Sequence, residues 1–214
     1  MKRLCDEAWW RPALTVAHAR HLEAESIGLG LVSRHAGLYV SDDTLKRRRA
    51  QKQRNRRVLE GMLAVNELGQ EFTLEQLAAS SISNPRIRRC EMMARIAGFE
   101  QVANDLDHVG AFYSLTTPSC MHAIHSRDGT ANRKYDGTLP DQAQKYLCRL
   151  WACIRAKLKR RGIPVYGFRV AEPQHDGTPH WHLLLFMPPE HEATVEAIMR
   201  DYALRKKWRR AGCR

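Results

Sequence analysis

The stretch from residue 165 to 187 constrains the fold more than any other part of the chain, because it reads as two strands joined by a loop. Residues 165–172 and 180–186 are rich in aromatic, β-branched and leucine residues, and the seven residues between them begin and end with proline. Proline cannot donate a hydrogen bond to a sheet, so we expect both strands to stop at Pro173 and Pro179. This pattern predicts an antiparallel hairpin.

Two histidines, His180 and His182, lie at alternate positions of the second strand. Side chains alternate between the two faces of a strand, so both imidazoles lie on one face. If the strands pair up to the prolines, Glu172 lies opposite His180 on that face, whereas a tight turn at residues 176–177 would pair Glu172 with Trp181 on the other face. We favour the longer loop, which predicts a two-histidine, one-carboxylate site for a divalent ion, with positions open for water or phosphate.

Other interpretations of the histidine pair stay open. A chain with ten histidines contains a His-x-His pair by chance often enough that the spacing alone is weak evidence. The two side chains could be hydrogen-bonded histidines of the core with no ligand. His175 and Asp176, in the loop before the second strand, are alternative metal ligands.

The chain carries a large positive charge, with 35 Lys and Arg against 23 Asp and Glu, a net charge of +12. Such a surplus indicates a polyanionic partner, either nucleic acid or an acidic membrane surface. No run of residues approaches the ~18 apolar residues that a membrane span needs. The six cysteines contain no C-x-x-C pair, which disfavours a zinc finger.

The densest cluster of cations lies in one predicted helix, which begins at Ser41 and ends at Gly69. We predict that its cations follow the phosphates of a nucleic acid, although a charge run of this kind is also typical of a solvated helix face. The residues predicted to bind DNA are Lys46, Arg47, Arg48, Arg49, Arg54, Arg56 and Arg57.

The first half of the chain, residues 1–107, is predicted to be a helical and basic region. Two of its helices, Thr73–Ser80 and Asn84–Asp107, follow each other closely and begin with residues that cap helices well. Such a pair can form a helix-turn-helix that reads DNA, but most successive helices simply pack together.

The second half, residues 108–214, is predicted to mix strands and helices. Its elements are a strand at Ala111–Thr117, a helix from Thr138 to Gly162, the hairpin, and a last helix from about Glu190 to Arg210. The fold class is therefore α+β, with a helical N-terminal half followed by an antiparallel sheet flanked by helices.

Several of these segments resemble one known family. The run EPQHDGTPHWHLLLF (172–186) resembles the histidine–hydrophobic–histidine (HUH) motif of the bacteriophage replication gene A proteins, rolling-circle initiators that nick single-stranded DNA. The run FYSLTTPSCMHA (112–123) is similar to the first motif of that superfamily. Two further segments also look like that family, NPRIRRCEMMARIAGFE (84–100) and YDGTLPDQAQKYLCRLWACIRAKLKRRGI (135–163). The resemblance covers about residues 80–205 and leaves the first ~75 residues without an assigned role.

The resemblance implies an HUH endonuclease domain over residues 108–214. It further implies a Mg or Mn ion on His180, His182 and a third polar ligand, for which we expect Glu172. A tyrosine would become covalently joined to a DNA 5′-phosphate. The implied partners are single-stranded DNA at a replication origin and the host replication helicase, without a membrane or a small-molecule substrate. The N-terminus has no apolar export signal, so we expect the chain in the cytoplasm of a bacterial host.

The tyrosines depart from the family pattern. Family members carry the nucleophile beyond the HUH strand, often as two tyrosines four residues apart on one helix, and no two of the six tyrosines here have that spacing. Tyr202 alone follows the motif, and it shares a helical face with Val195, Ile198 and Met199, which favours a packing role. We therefore expect a chain that holds the metal half of the site and stops before the catalytic tyrosines.

Two other functions remain open from the sequence. The chain could be a basic module that binds single-stranded DNA without cutting it. It could also be an unrelated metallohydrolase in which the two histidines and the carboxylate activate water. A nicking enzyme cleaves single-stranded DNA with a metal ion, whereas the binding module does not. A nicking enzyme also keeps one product attached to protein, whereas the metallohydrolase does not.

Overall fold

The structure is a computed structural model that describes residues 5–204. It has the predicted α+β class, with helices at both ends of the strand region. The helices are α1 (Glu7–Gly28), α2 (Asp42–Glu60), α3 (Leu74–Ala79), α4 (Pro85–Asp105), α5 (Pro140–Arg160) and α6 (Glu192–Leu204). The strands are β1 (Leu63–Val65), β2 (Glu71–Thr73), β3 (Val109–Thr116), β4 (Tyr166–Pro173) and β5 (Pro179–Met187).

A three-stranded antiparallel sheet with the order β3-β5-β4 forms the centre of the second half. The predicted hairpin is confirmed, and its register places Glu172 opposite His180. Pro173 and Pro179 face each other at the end of the ladder, so the connecting loop holds residues 174–178 and is shorter than predicted. The predicted strand near residue 111 is β3, and it pairs with the histidine strand along its whole length.

One face of this sheet is closed by α5 and α6. Trp181, Leu183 and Met187 of β5 are fully buried there. Helix α5 presents an apolar stripe toward them because its Leu147, Leu150, Ile154 and Leu158 recur at helical spacing, and all four are buried. Each such side chain contributes about 1.5–3 kcal/mol through burial. This packing fixes the position of β5 and therefore also of the residues on the other face of that strand.

Within residues 5–204, α4 covers one end of the opposite face of the sheet and leaves the other end open. Phe99 of α4 packs edge-on against Phe168, with 4.8 Å between the ring centroids, and also contacts Tyr166. The other end of that face carries Glu172, His180 and His182, which are exposed or half-buried. The histidine end of the face is therefore accessible from solvent.

The N-terminal half differs from the predicted all-helical region. Helix α2 ends at Glu60, not at Gly69, and residues 63–73 form a small β1–β2 hairpin. The side chain of Asn66 accepts hydrogen bonds from the backbone N–H groups of Leu68 and Gln70, and Gly69 adopts a φ of +76°. Asparagine and glycine at these positions stabilise a turn, so the Gly69 that suggested a helix end in fact closes a hairpin.

The predicted starts of α3 and α4 are confirmed. Thr73 and Gln76 form a reciprocal capping box at the start of α3, and the side chain of Asn84 caps α4. The predicted last helix is α6, and its expected end near Arg210 lies outside the described residues. Between residues 5 and 204, no helix combines the length and apolar character that crossing a bilayer requires.

The end of α1 and the segment that joins it to α2 pack against the second half of the chain. Ile27 and Val32 are buried together with Ala123, which lies in the long loop after β3. At the start of α2, the backbone N–H of Ser41 and the hydroxyls of Ser41 and Thr44 donate hydrogen bonds to the carboxylate of Glu23 in α1. The N-terminal region is thus anchored beside the sheet, although its division from residues 108–214 stays a prediction.

Candidate functional site

The structure brings the three predicted metal ligands together on the open face of the sheet. The ring centroids of His180 and His182 are 4.5 Å apart. Nε2 of His182 lies 3.6 Å from Oε2 of Glu172. The alternation of side chains along β5 and the pairing of Glu172 with His180 produce this cluster directly, as the longer-loop hypothesis predicted.

Strand β3 supplies a hydroxyl to each histidine. Ser114 Oγ lies 2.9 Å from Nδ1 of His182, and Thr116 Oγ1 lies 3.0 Å from Nδ1 of His180. When each Nδ1 donates its proton to a hydroxyl oxygen, the lone pair of Nε2 is left for a metal ion. Sequence reasoning missed these residues, yet Ser114 and Thr116 have the same spacing of two as the histidines that they face.

The environment favours a neutral His180. Burial lowers the pKa of its imidazole most, and a positive charge on His182 lowers it further. The Glu172 carboxylate opposes this effect and raises the pKa, while His122 again lowers it. A histidine binds a metal ion as neutral imidazole, so the direction of the shift suits a ligand.

The donor set fits a divalent ion that prefers nitrogen and carboxylate ligands with open positions. The histidines are fixed by hydroxyls, whereas the Glu172 side chain is 60% exposed. Across residues 5–204, no three or more His, Cys, Asp or Glu side chains are already grouped closely enough to hold a metal ion. Side chains of the site would therefore have to rotate for all three groups to surround one ion.

The two alternative ligands have other partners. Oδ2 of Asp176 lies 2.9 Å from Nδ1 of His122, whose Nε2 is 2.9 Å from the hydroxyl of Thr117. His175 stacks on Tyr39, and its Nε2 is 3.1 Å from a guanidinium nitrogen of Arg34. These contacts direct both side chains into the neighbouring loops and favour Glu172 as the third ligand.

The pair of His122 and Asp176 is a second polar cluster that the sequence did not reveal. The Asp176 side chain is only 5% exposed. Burial alone would raise the pKa of its carboxyl, but hydrogen bonding to His122, the charge of His122 and hydrogen bonds from Thr178 outweigh burial and lower the pKa. The ionised carboxylate thus joins the loop after β3 to the loop before β5.

The cations of α2 lie on a helix with no buried residue. Several are tied to acidic neighbours: Arg47 lies 2.9 Å from Asp43, and Arg56 lies 2.8 Å from Glu60. Arg54 donates a hydrogen bond to Gln51. Lys46, Arg48, Arg49 and Arg57 are exposed. The helix presents a charged surface to solvent, and DNA binding by its cations stays a prediction.

Tyr202 lies in α6 and belongs to the core cluster on the closed face of the sheet. It is 7% exposed, and Val195, Ile198 and Met199 are buried beside it. The sheet therefore separates its ring from the histidine pair, which favours packing over nucleophilic attack.

Comparisons with known proteins identify the relatives of this chain. The family model described as "Bacteriophage replication gene A protein (GPA)" matches residues 1–211. The match therefore includes the first ~75 residues, which carried no resemblance of their own. No solved structure matches the chain significantly.

Curated relatives match nearly the whole chain. The replication gene A protein of Escherichia phage 186 is 47% identical over 201 residues, which are 94% of this chain and 29% of that protein. The replication gene A protein of Escherichia phage P2 is 37% identical over 95% of this chain and 28% of its own length. A probable replication endonuclease from a prophage-like region of Salmonella typhi is 35% identical over 96% of this chain and 25% of its own length. The chain thus spans between a quarter and a third of these relatives.

Proposed function

The chain belongs to the bacteriophage replication gene A protein family, and from that premise we propose that it forms the metal-binding part of an endonuclease that nicks single-stranded DNA at a replication origin. The observation that carries this proposal is the cluster of Glu172, His180 and His182 on the open end of the sheet. Relatives named as replication endonucleases support nicking in general terms.

In this proposal the two histidines and Glu172 hold a Mg or Mn ion. Such an ion would polarise the scissile phosphate as a Lewis acid. The proposal requires that Nδ1 of each imidazole donates to the hydroxyl of Ser114 or Thr116, which leaves Nε2 for the ion. The side-chain amide nitrogen of Gln174 also lies 3.2 Å from Nδ1 of His180. Trp181 and Leu183 lie on the opposite face of the same strand, and their burial in the core holds the strand in place. The rigid strand thereby keeps the distance between ligands constant during the reaction.

The proposed reaction is a transesterification. A tyrosine hydroxyl attacks the phosphorus in line and loses its proton, a bond forms between the tyrosine oxygen and the 5′-phosphate, and the bond to the 3′ oxygen breaks to release a 3′ hydroxyl. We propose that the attacking tyrosine belongs to the family's tyrosine motif, which no segment of this chain resembles. Tyr202 lies on the wrong face of the sheet for this role.

A second candidate function is a DNA-binding module without cleavage, which the burial of Tyr202 favours. Incubation of the 214-residue chain with Mn and a labelled single-stranded oligonucleotide, followed by denaturing electrophoresis, separates the outcomes. We expect DNA binding without a covalent adduct. An adduct that disappears in Tyr202→Phe would contradict the assignment of Tyr202 to the core.

Nicking itself is best tested in a chimera, in which this chain replaces the matching segment of the phage 186 protein. We expect the chimera to cleave single-stranded DNA with Mn and to retain the 5′ end on protein. The same chimera with His180→Ala and His182→Ala should be inactive, while His191→Ala, which changes an imidazole outside the site, should leave the activity unchanged. Equal activity of the double variant and the unmodified chimera would contradict the proposal.

A further inference from the structure

Residues 33–39, between α1 and α2, lie against the loop that precedes the histidine strand. The backbone N–H of Tyr39 donates to the carbonyl oxygen of His175 at 3.4 Å, and the two rings stack with 6.2 Å between centroids. A guanidinium nitrogen of Arg34 lies 3.1 Å from Nε2 of His175. A Cβ on Gly177 would come within 2.9 Å of the Tyr39 carbonyl oxygen. The segment and the loop are therefore packed closely together.

The segment is also held from behind. Val32 is fully buried, and Gly37 exchanges backbone hydrogen bonds with Leu31 and Ser33. Tyr39 has a φ of +70°, which is uncommon for a residue other than glycine and requires support from its surroundings. The backbone of the segment is thus held in place by packing, while the side chains of Arg34 and Tyr39 are exposed.

Two adjoining cavities connect this segment with the histidine pair. The first, of about 240 Å³, is lined by Arg34, His122 and His125 among others. The second, of about 540 Å³, is lined by Arg34, Tyr39, Arg127, Glu172 and His180. The second cavity therefore reaches from Arg34 to His180, and it adjoins the first because Arg34 and His175 line both; the two cavities together are called the hollow.

The chemistry of this hollow suits a nucleotide. Arg34 and Arg127 bring positive charge, and a guanidinium binds a phosphate through charge-assisted hydrogen bonds. The ring of Tyr39 is 45% exposed and offers a surface on which a base can stack. Of the two acidic residues that line the hollow, Glu172 faces the histidines and Asp176 is bound to His122.

We propose that residues 33–39 form a subsite for one nucleotide of single-stranded DNA next to the histidine pair. Arg34 binds the phosphate of this nucleotide, and Tyr39 stacks on its base. The inference rests on the proposed function, since it places the nucleotide beside the phosphate that would be cleaved. It also gives a role to the segment between α1 and α2, for which the sequence predicted none.

The test measures binding of the 214-residue chain to a fluorescent oligothymidylate of fifteen nucleotides in EDTA, so that the metal site plays no part. Arg34→Gln should weaken binding about tenfold, because a charge-assisted contact to phosphate is lost. The slope of log K against log salt should fall by about 0.7, the value expected for one phosphate contact on a single strand. Arg34→Lys, which keeps the charge, should recover the slope.

The matched control is Arg149→Gln, which removes an exposed cation from α5 on the closed side of the sheet. It should change the affinity less than twofold. Tyr39→Phe should bind as the unmodified chain does, whereas Tyr39→Ala should bind about fivefold more weakly through loss of stacking. Thermal unfolding of each variant shows whether the fold is retained.

Equal affinities and equal salt slopes for Arg34→Gln and Arg149→Gln would overturn the subsite while the proposed nicking function stands. Failure of the unmodified chain to bind the oligonucleotide would overturn both. Arg34→Gln could also bind more weakly with an unchanged salt slope, and Arg34→Lys could then fail to restore the affinity. That result would assign Arg34 a structural role and overturn the phosphate contact.

Discussion

The two faces of the central sheet use the same strand in opposite ways. On one face, Trp181 and Leu183 are completely buried against α5 and α6. On the other face, His180 and His182 alternate with them and meet hydroxyls, a carboxylate and solvent. The comparison shows that adjacent residues of one strand can serve different purposes, since one face packs the core and the other leaves the histidines accessible.

The largest expected effect comes from breaking the packed face. Leu183→Ala should lower the free energy of unfolding by about 2–5 kcal/mol, because the cavity it creates cannot fill with solvent. His182→Ala, one residue away on the open face, should cost about 1 kcal/mol, since mainly the hydrogen bond to Ser114 is lost. Urea unfolding of both variants measures the difference, and equal losses would contradict the division between the faces.

A smaller effect is expected beside the open face, where Asp176 joins two loops. Asp176→Asn should lower the free energy of unfolding by about 1–3 kcal/mol at pH 7, because His122 loses its charged partner. Asp105→Asn, an exposed control on α4, should have little effect.

The effect of Asp176 should depend on pH in a defined direction. Its pKa is lowered in the folded chain, so its stabilisation is present above the unfolded pKa of about 3.9 and is lost as the pH falls through the folded value. Unfolding measured at pH 7 and at pH 3 should therefore show a gap between Asp176→Asn and the unmodified chain that narrows at pH 3. A gap that widens in acid would contradict the role of the ionised carboxylate.

The smallest effect is expected from the cations of α2, which lie on a helix without buried residues. Replacing Arg48, Arg49 and Arg54 with Gln should reduce the salt dependence of single-stranded DNA binding by about 0.7 for each phosphate contact that is lost. Fluorescence titration at several salt concentrations measures this slope. A slope equal to that of the unmodified chain would show that these cations form a solvated helix face that does not contact DNA.

The sequence predicted the sheet well because the alternation of residues 165–187 and the two prolines restrict both register and face. The same local rules identified the caps at Thr73 and Asn84. They failed at Gly69, because a glycine after a polar segment can close either a helix or a hairpin, and the pairing of β1 with β2 decides between them.

Of the site, the sequence predicted only the part whose residues lie on one hairpin. Glu172, His180 and His182 could be placed together because pairing across a short loop is a local property. His122 meets Asp176, and Arg34 meets His175, through loops that are 54 and 141 positions apart in the sequence. No periodicity encodes such contacts, since they depend on how the loops pack around the finished sheet.

The open face is proposed to bind a divalent metal ion through the histidine pair. Thermal unfolding of the chain with and without MnCl₂ tests it directly, because a ligand that binds only the folded state raises its stability. At a hundredfold excess over Kd, the midpoint of the unmodified chain and of His175→Ala should rise by about 5–10 °C. The double variant His180→Ala and His182→Ala should show no rise, and a rise equal to that of the unmodified chain would contradict the account.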